Sequence, residues 1–256
     1  MKKLYKNKEF IWALTKRELK GKYKQSLLGK LWIFLQPFSL MLILSFVFSQ
    51  MVRLDSEGLP YPVFLFAGLL PMIFFQNTIS SSANIITGKA SLIKQKFFMR
   101  EALVINKLFT EVINLFFGSL GFILILLYYQ IQIGIYSMFV LIIFPIQLMF
   151  MYGLMLILSS LNVYIRDVEM LTPLIIRLWY YLTPVIYSYS SIPNKYKVIL
   201  ALNPMTGIID GYRKALLHNT VPDIGLLLYS LGIGLVVFFV GSKLFSKLEK
   251  YFSDAL

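Results

Sequence analysis

Long apolar stretches without charges alternate with short charged connections along the chain. Asp, Glu, Lys and Arg are absent from 31–52, 58–88, 112–165, 178–194 and 224–242. A helix needs about 20 mostly apolar residues to cross a bilayer, and one of these stretches is long enough for two such helices. The pattern therefore predicts six transmembrane helices, at about 31–52, 61–86, 104–128, 135–161, 170–189 and 224–245.

The segment before the first span is too charged to cross a bilayer. The first 30 residues carry ten Lys or Arg and two Glu. At about 100° per residue, Lys16, Lys20 and Lys24 form one stripe of a helix over about 8–24. This pattern predicts an N-terminal amphipathic helix that lies in the membrane interface, and a solvated basic tail is the alternative.

Two connections between the predicted spans are more than turns. The first, about 88–100, is long enough for about three helical turns. Apolar and basic side chains are interleaved in it, namely Leu92, Ile93, Lys94, Lys96, Phe97 and Phe98. Such a short helix is either a second interfacial anchor or a docking helix for a cytosolic partner.

The second connection, which follows the fifth span, contains two apolar stretches, 196–202 and 205–217. Each is too short to cross a bilayer. Between them, Asn203 and Pro204 supply an N-cap followed by proline at the first helical position. Short apolar helices at membrane depth must be buried against protein. We therefore predict outer helices over about 194–217 that form either a lid over an exit pathway or a structural cap.

Composition and charge exclude a soluble fold. Apolar residues make up 58% of the chain, charged residues make up 14%, and the mean hydropathy is +0.72, whereas soluble domains average about 45–50% apolar and about 25% charged. The net charge is +13, and nineteen Lys or Arg lie on the inner side of the predicted spans against five on the outer side. This asymmetry predicts that both termini are cytoplasmic. A basic segment, 1–30, directly before a transmembrane domain, 31–256, attracts anionic membrane lipid, and we expect no nucleic acid as a partner.

Residues that would support catalysis or metal binding are scarce. The chain has no cysteine and one histidine, His218, so thiolate and multi-histidine metal sites are excluded. The patterns GxxxxGK[ST], GxSxG and HExxH are missing from the sequence, and we expect this chain to have no catalytic residues and to bind no nucleotide, cofactor or metal itself. Asp210, Arg213, Lys214 and His218 recur at helical spacing, which ion pairs on a surface face of one helix would explain.

Ionisable residues inside the predicted spans are few. Lys107 and Glu111 are i,i+4 partners near the inner end of the third span, where we expect them to pair. Arg177 lies about two turns into the fifth span, where it either neutralises Asp167 or Glu169 or contacts an anionic substrate. Proton-coupled transporters place carboxylates deep in their spans, so this pattern argues against secondary transport.

Aromatic residues are dense in the first and fifth spans. The chain has 22 Phe, 16 Tyr and 3 Trp. Rings flanked by hydroxyls offer apolar faces with polar handles, over which sugar rings could slide. Packing and interfacial belts are the alternative explanation of the same residues. The aromatic residues concerned are Trp32, Phe34 and Phe38 in the first span and Tyr180, Tyr181 and Tyr187 in the fifth.

Four motifs in a fixed order give the chain a family resemblance. They are LLGKLWIFLQP (27–37), NVYIRDVEML (162–171), TPVIYSYSSIP (183–193) and NPMTGIIDGYR (203–213). Together with six spans and a basic amphipathic helix, they make the chain similar over its whole length to the transmembrane subunit of ABC-2-type exporters. The resemblance is strongest to exporters of O-antigen and related lipid-linked polysaccharides, and it implies an all-α integral membrane fold.

The resemblance also implies a mechanism and partners. It implies a homodimer in the cytoplasmic membrane and two copies of a separate cytosolic ATPase, which bind ATP and Mg and contact a coupling helix at 88–100. The path of a lipid-linked glycan would lie on the two-fold axis between the first and fifth spans, lined by Trp32, Phe34, Phe38, Arg177, Tyr180, Tyr181 and Tyr187. The stretch 194–217 would form an outer gate that includes Asn203, Pro204, Asp210 and Arg213.

The same resemblance leaves several substrates open. The family includes exporters of teichoic acid, capsule, drugs and lipids, and no motif in this chain separates their cargoes, although wide aromatic surfaces favour a glycan. A drug or lipid exporter would need a closed lateral pocket instead of a continuous channel. A membrane-embedded glycolipid transferase would need acidic metal ligands or a nucleophile near the interface.

Overall fold

The computed structural model describes residues 8–23, 26–93 and 99–256, and the regular structure of these residues is helical throughout. The α-helices are α1 (Lys8–Tyr23), α2 (Trp32–Phe46), α3 (Tyr61–Ser80), α4 (Asn84–Thr87), α5 (Ala90–Ile93), α6 (Glu101–Tyr128), α7 (Val140–Asn162), α8 (Asp167–Tyr181), α9 (Asn194–Ala201), α10 (Pro204–Arg213), α11 (Ile224–Leu248) and α12 (Phe252–Ala255). Short 3₁₀ turns cover Gly29–Leu31, Ile135–Phe139 and Glu249–Tyr251, and π-helical turns extend α2 over Val47–Met51 and α10 over Lys214–His218.

Five predicted spans are confirmed as helices that are long and apolar enough to cross a membrane. These helices, with the turns that extend them, are Trp32–Met51, Tyr61–Ser80, Glu101–Tyr128, Ile135–Asn162 and Ile224–Ala255. The all-α integral membrane class is therefore confirmed. The second span ends earlier than predicted, because a turn separates the last residue of α3 from α4.

The predicted fifth span over 170–189 is wrong in its extent. Helix α8 ends at Tyr181 after 15 residues, which gives a length of about 22 Å against a hydrocarbon core of roughly 30 Å. Thr183 precedes Pro184, and a residue before proline disfavours the helical conformation. Residues 182–193, which we call the unwound segment, therefore continue without regular structure.

Helix α3 forms the centre of the fold. Fifteen of its twenty residues are buried, and it packs against α2, α6, α7, α8 and α10. This matches its sequence, which is apolar on all sides of the helix. At Pro71, the side chain of Gln147 donates to the proline carbonyl at 2.9 Å and accepts from the hydroxyl of Tyr212 at 3.0 Å. The centre of the bundle thus contains a satisfied polar cluster.

Helices α7 and α11 pack closely through glycines. A Cβ atom added at Gly153 of α7 would lie 2.6 Å from the backbone nitrogen of Phe238, and one added at Gly241 would meet the backbone of Gly153. Small residues let transmembrane helices approach each other closely. These glycines therefore set the distance between the two helices.

The antiparallel helices define two ends of the bundle. We call the end that carries α1, α4, α5 and α12 the basic end, since most Lys and Arg residues lie there. We call the opposite end, which carries the 52–60 loop, the unwound segment, α9 and α10, the gate end.

At the basic end, α1 is helical as predicted and is docked on α6. Thr15 donates to Asn106 at 2.9 Å, and Asn106 donates to Glu18 at 2.6 Å. Glu18 also forms ion pairs with Lys107 at 3.7 Å and with Lys89 at 3.4 Å. These contacts show that this part of the chain is not the solvated basic tail of the alternative prediction.

Candidate functional site

Arg213, the last residue of α10, holds the unwound segment in place. Its side chain is 3% exposed. Its guanidinium donates to the carbonyls of Pro184 at 2.7 Å, Tyr187 at 3.3 Å and Phe64 at 3.3 Å, and also to that of Val185. Backbone carbonyls outside a helix must find partners when they are buried at membrane depth. The rigid fork of five donors on Arg213 supplies those partners.

The guanidinium of Arg213 fits its position tightly. Its Cζ atom lies 3.7 Å from the centre of the Phe64 ring, a cation–π contact. A Cβ atom added at Gly68 of α3 would lie 2.7 Å from Nη2 of Arg213. The absence of a side chain at Gly68 therefore provides the space that the guanidinium occupies.

Asn203 joins the end of α8 to the start of α10. Its Oδ1 accepts from the backbone nitrogen of Met205 at 2.9 Å and from Nε1 of Trp179 at 2.8 Å. Its Nδ2 donates to the carbonyl of Leu182 at 3.1 Å and to the hydroxyl of Thr183 at 2.8 Å. The predicted N-cap is therefore present, and it also satisfies polar groups that the end of α8 leaves free.

Helix α10 is buried along its whole length. All ten of its residues are buried, and it packs against α3, α7 and α11. Pro204 occupies its first position, as predicted, and the carbonyl of Pro204 accepts from Ser230 of α11 at 2.8 Å. A Cβ atom added at Gly207 would lie 2.6 Å from the carbonyl oxygen of Leu226. The short helix is thus enclosed by protein, as an apolar helix that does not cross must be.

The 52–60 loop is latched to the unwound segment through Glu57. Its carboxylate accepts from Ser190 at 2.8 Å and from Ser188, and it pairs with Nε2 of His218 at 2.7 Å. Burial alone would raise the pKa of Glu57, but the two serine hydroxyls and the positive charges of His218 and Arg213 hold it below its ordinary value. The carboxylate is therefore stabilised in its charged form.

The surface ion-pair face predicted around Asp210 is only partly correct. The pair between Asp210 and Lys214 forms at 2.9 Å. Arg213 instead points into the protein, and His218 pairs with Glu57 of a distant loop. The sequence spacing did not reveal these contacts. It shows which residues share a face of one helix, but not which residues of other elements contact that face.

The aromatic residues predicted to line a path lie on α2 and at the end of α8, two helices that both pack against α3. On α2, Trp32 is 48% exposed and lines a cavity of about 340 Å³, while Phe34 and Phe38 line one of about 500 Å³ between α2, α3 and α6. After α8, the hydroxyl of Tyr187 donates to the carbonyl of Tyr181 at 3.1 Å. Tyr180 is half-buried nearby. Their contact with a substrate stays a prediction.

Two ionisable groups predicted inside spans have different surroundings. Lys107 pairs with Glu111 at 2.9 Å, as expected. Arg177 is exposed, and among the described residues it forms no ion pair with Asp167 or Glu169. The predicted neutralisation of these carboxylates is therefore not seen, and the guanidinium is available to other groups.

A cavity of about 970 Å³ opens at the basic end. Its lining includes both positive and negative side chains, namely Arg17, Glu18, Lys89, Lys107 and Glu169. It lies between α1, the end of α3, the start of α6 and the start of α8. Such a mixed surface presents hydrogen-bonding groups beside the helix of the fifth predicted span.

Of the residues predicted to couple to a partner, only two are described. Leu92 lines the large cavity and is half-buried, and Ile93 is fully buried. The other four, Lys94, Lys96, Phe97 and Phe98, lie outside the described residues. Ile93 therefore faces the protein, and the contact of these residues with a partner stays a prediction.

The described residues contain no cluster of side chains that could bind a metal ion. Across 8–23, 26–93 and 99–256, no three His, Asp or Glu side chains are grouped so that they could hold a metal ion. The polar contacts described above are instead hydrogen bonds to backbone carbonyls at the gate end and ion pairs at the basic end.

Sequence reasoning missed Glu57, Ser188 and Ser190 as members of the gate end. A local signal for the loop was available, because acidic residues flank Ser56 before Gly58, and such a cluster marks a turn. The backbone of Glu57 indeed has a positive φ of 58°. Its partners lie more than 130 residues away, so the contact itself required the fold.

Comparison with known proteins identifies the family. The family model for ABC-2 type transporters matches residues 9–217. The chain is 30% identical to the O-antigen export system permease protein RfbA of Myxococcus xanthus, over 100% of this chain and 98% of that protein, and 30% identical to the RfbA protein of Klebsiella pneumoniae, over 97% and 95%. It is 22% identical to the polysialic acid transport protein KpsM of Escherichia coli, over 93% of each chain. The architecture described above and this match over most of its length agree, and the chain belongs to the ABC-2 type transporter family.

Proposed function

We propose that this chain is the transmembrane subunit of an ATP-driven exporter of a lipid-linked polysaccharide of the O-antigen type. The observation that carries the proposal is the full-length similarity to permeases whose names state O-antigen export. The geometry supports it, because a bundle with a large cavity partly lined by charged side chains at its basic end and a buried short helix at its gate end suits a path that opens and closes.

The similarity favours O-antigen-type cargo over the other cargoes of the family. Identity is 30%, 30% and 28% to the three RfbA proteins but 22% to the KpsM proteins. A capsule polysaccharide is therefore the second candidate, and it shares the chemistry of a long, hydroxyl-rich chain. Teichoic acid, drug and lipid export, and glycolipid transfer, have no comparable support.

The path of the polysaccharide would form in a homodimer. In α2, only Pro37, Met41 and Ser45 are buried within one chain. Helix α8 exposes Met170, Leu174, Leu178 and Tyr181 along one side, at spacings of three to four residues that place them on a common face. Apposition of α2 and α8 from two copies would enclose Trp32, Phe38 and Tyr181 without a deep binding site.

ATP would be hydrolysed by a separate subunit that docks at the basic end. The chain belongs to a family of membrane subunits of ABC transporters. The energy of ATP hydrolysis must therefore reach it through a surface that contacts the ATPase. The interleaved apolar and basic residues of the 88–100 connection support a docking surface there, with Phe97 and Phe98 as apolar anchors for a groove on the ATPase. The basic end would face the cytoplasm, in keeping with its excess of Lys and Arg.

Docking can be tested by co-purification of the chain with its ATPase. Burial of one Phe side chain is worth roughly 1.5–3 kcal/mol, and about 1.4 kcal/mol is a factor of ten in affinity. We therefore expect Phe97→Ala to weaken association about tenfold or more. Phe97→Asp should abolish association, and an intact complex of Phe97→Asp with normal export would contradict the docking role.

The polysaccharide can be tested through ATP hydrolysis by the purified complex. We expect lipid-linked polysaccharide with an O-antigen repeat to stimulate hydrolysis, and the same lipid carrier without sugars to stimulate it less. Tyr181→Ala should reduce the stimulation and leave the amount of folded complex unchanged. Equal stimulation by the bare lipid carrier would contradict a glycan substrate, and a loss of folded protein alone would identify Tyr181 as a packing residue.

A further inference from the structure

The short segment after the last span is a packed part of the fold. Phe252 of α12 is fully buried. Its ring centre lies 5.5 Å from that of Phe245 in α11 and 6.4 Å from that of Tyr164, which follows α7. Burial of an aromatic side chain removes a large apolar area from water and stabilises the packing. The C-terminal segment is therefore anchored to the basic end of α11.

Polar contacts tie α12 to residues on both sides of the segment 94–98. Arg100 donates through one Nη atom to the hydroxyl of Ser253 at 2.5 Å and through the other to the carbonyl of Glu249. The hydroxyl of Ser253 lies 3.5 Å from the carbonyl of Ile93. A serine hydroxyl can accept one hydrogen bond and donate another. The side chain of Ser253 therefore contacts both Ile93 and Arg100, which lie on the two sides of 94–98.

The opposite end of α11 contacts the buried helix of the gate end. Ser230 donates to the carbonyl of Pro204, and Gly207 approaches the backbone of Leu226 so closely that no side chain fits between them. Between these two sets of contacts, Ile224–Leu248 is one uninterrupted helix, with a length of about 37 Å. Packed helices move as rigid elements that slide past one another by small distances.

We propose that Arg100 and Ser253 clamp the 88–100 connection to α11, and that α11 carries a displacement of this connection to α10 at the gate end. The inference rests on the proposed function, in which the 88–100 connection contacts the ATPase. Arg100 and Ser253 are positioning residues in this account, since they touch neither substrate nor nucleotide. Helix α10 would then respond to ATP through α11. The role of α11 would be separate from that of α2 and α8, which would line the path.

The clamp is tested with a reporter at the gate end of the complete complex. The chain has no cysteine, and Leu202 between α9 and α10 is 62% exposed, so Leu202→Cys gives a single site for a membrane-impermeant maleimide. In the complex with the ATPase, we expect ATP and Mg to change the labelling rate. Arg100→Ala should reduce this change about tenfold, which corresponds to ~1.4 kcal/mol, while the complex and its hydrolysis of ATP persist.

The matched control is Arg166→Ala, which removes the same charge from an exposed side chain at the basic end, and it should leave the response unchanged. A response of Arg100→Ala equal to that of the parent chain would contradict the clamp. Where Arg100→Ala does not assemble, Ser253→Ala provides the same comparison, because it keeps Phe252 and the charge of Arg100. If Phe97→Asp also leaves association intact, the proposed docking fails independently of the clamp.

Cross-linking distinguishes the clamp from a general effect on stability. The reporter for this experiment is a fluorescent unnatural amino acid in place of Leu202, so that cysteines are free for use at the clamp. The double substitution Arg100→Cys and Ser253→Cys should abolish the response of the reporter to nucleotide. Joining the two cysteines with a short bis-methanethiosulfonate linker should restore the response, and reduction of the linker should remove it again. A response that is insensitive to the linker would contradict a mechanical connection at this place.

Discussion

The replacement Arg213→Lys tests whether Arg213 holds the unwound segment. Lysine keeps the positive charge but places three donors at one point, whereas the arginine fork serves the carbonyls of Pro184, Val185, Tyr187 and Phe64. Three donors leave at least one of the four carbonyls without a partner. A buried polar group without a partner costs about 1–3 kcal/mol, so we expect the local structure to lose about 1–3 kcal/mol.

The assay for this prediction uses the burial of Val185, whose side chain is fully buried. A Val185→Cys chain, otherwise free of cysteine, reacts with maleimide only when the segment opens, so its rate reports the population of open molecules. A loss of about 1–3 kcal/mol should accelerate labelling about 5- to 150-fold. The control Arg177→Lys, at an exposed position without an ion pair to the described residues, should stay within about threefold. Equal labelling rates for Arg213→Lys and its parent would refute the role of Arg213.

Four further substitutions test the same account. Asn203→Ala removes the N-cap of α10 and the partner of Trp179, and it should lower the free energy of unfolding by about 2–4 kcal/mol, measured by thermal denaturation against Asn194→Ala at an exposed position. Gly68→Ala should displace the Arg213 guanidinium and destabilise the protein by about 1–3 kcal/mol; unchanged stability would contradict the tight fit. Gly153→Leu should separate α7 from α11 and abolish the folded protein, whereas Gly232→Leu, at a site with no atom within 4 Å of an added Cβ, should not. Because the pKa of Glu57 is held below its ordinary value, its contribution to stability is full above about pH 4.3 and is lost as the pH falls through the lowered pKa; Glu57→Gln should remove this acid-induced loss of the thermal midpoint.

Much of the fold follows from hydrophobicity along the chain. Charge-free stretches locate five long helices, because a transmembrane helix satisfies its own backbone and needs little information from its neighbours. The Asn203–Pro204 start of α10 could also be read locally, since capping involves adjacent residues. The early end of α8 was missed, although Pro184 marks it, because apolar residues continue beyond it and hydrophobicity alone does not distinguish a helix from an enclosed loop.

The gate end shows where sequence reasoning stops. Arg213 was assigned to a surface face from its spacing to Asp210, yet it lies among carbonyls of α3 and the unwound segment. The sequence does not show that residues 182–193 leave the helical conformation. It therefore does not show that their free carbonyls need a buried arginine as a donor. The latch of Glu57 likewise depends on Ser188, Ser190 and His218, which only the packing of three separate elements brings together.

The most direct test of polysaccharide export by this chain is transport in a defined system. The chain and its ATPase are reconstituted in liposomes that contain lipid-linked polysaccharide with a labelled O-antigen repeat, and the glycan on the side opposite the ATPase is measured with a membrane-impermeant glycosidase. We predict that this glycan accumulates only with ATP and Mg, and that Phe97→Asp prevents the accumulation. Accumulation that is independent of ATP, or none with an intact complex that hydrolyses ATP, would contradict the account.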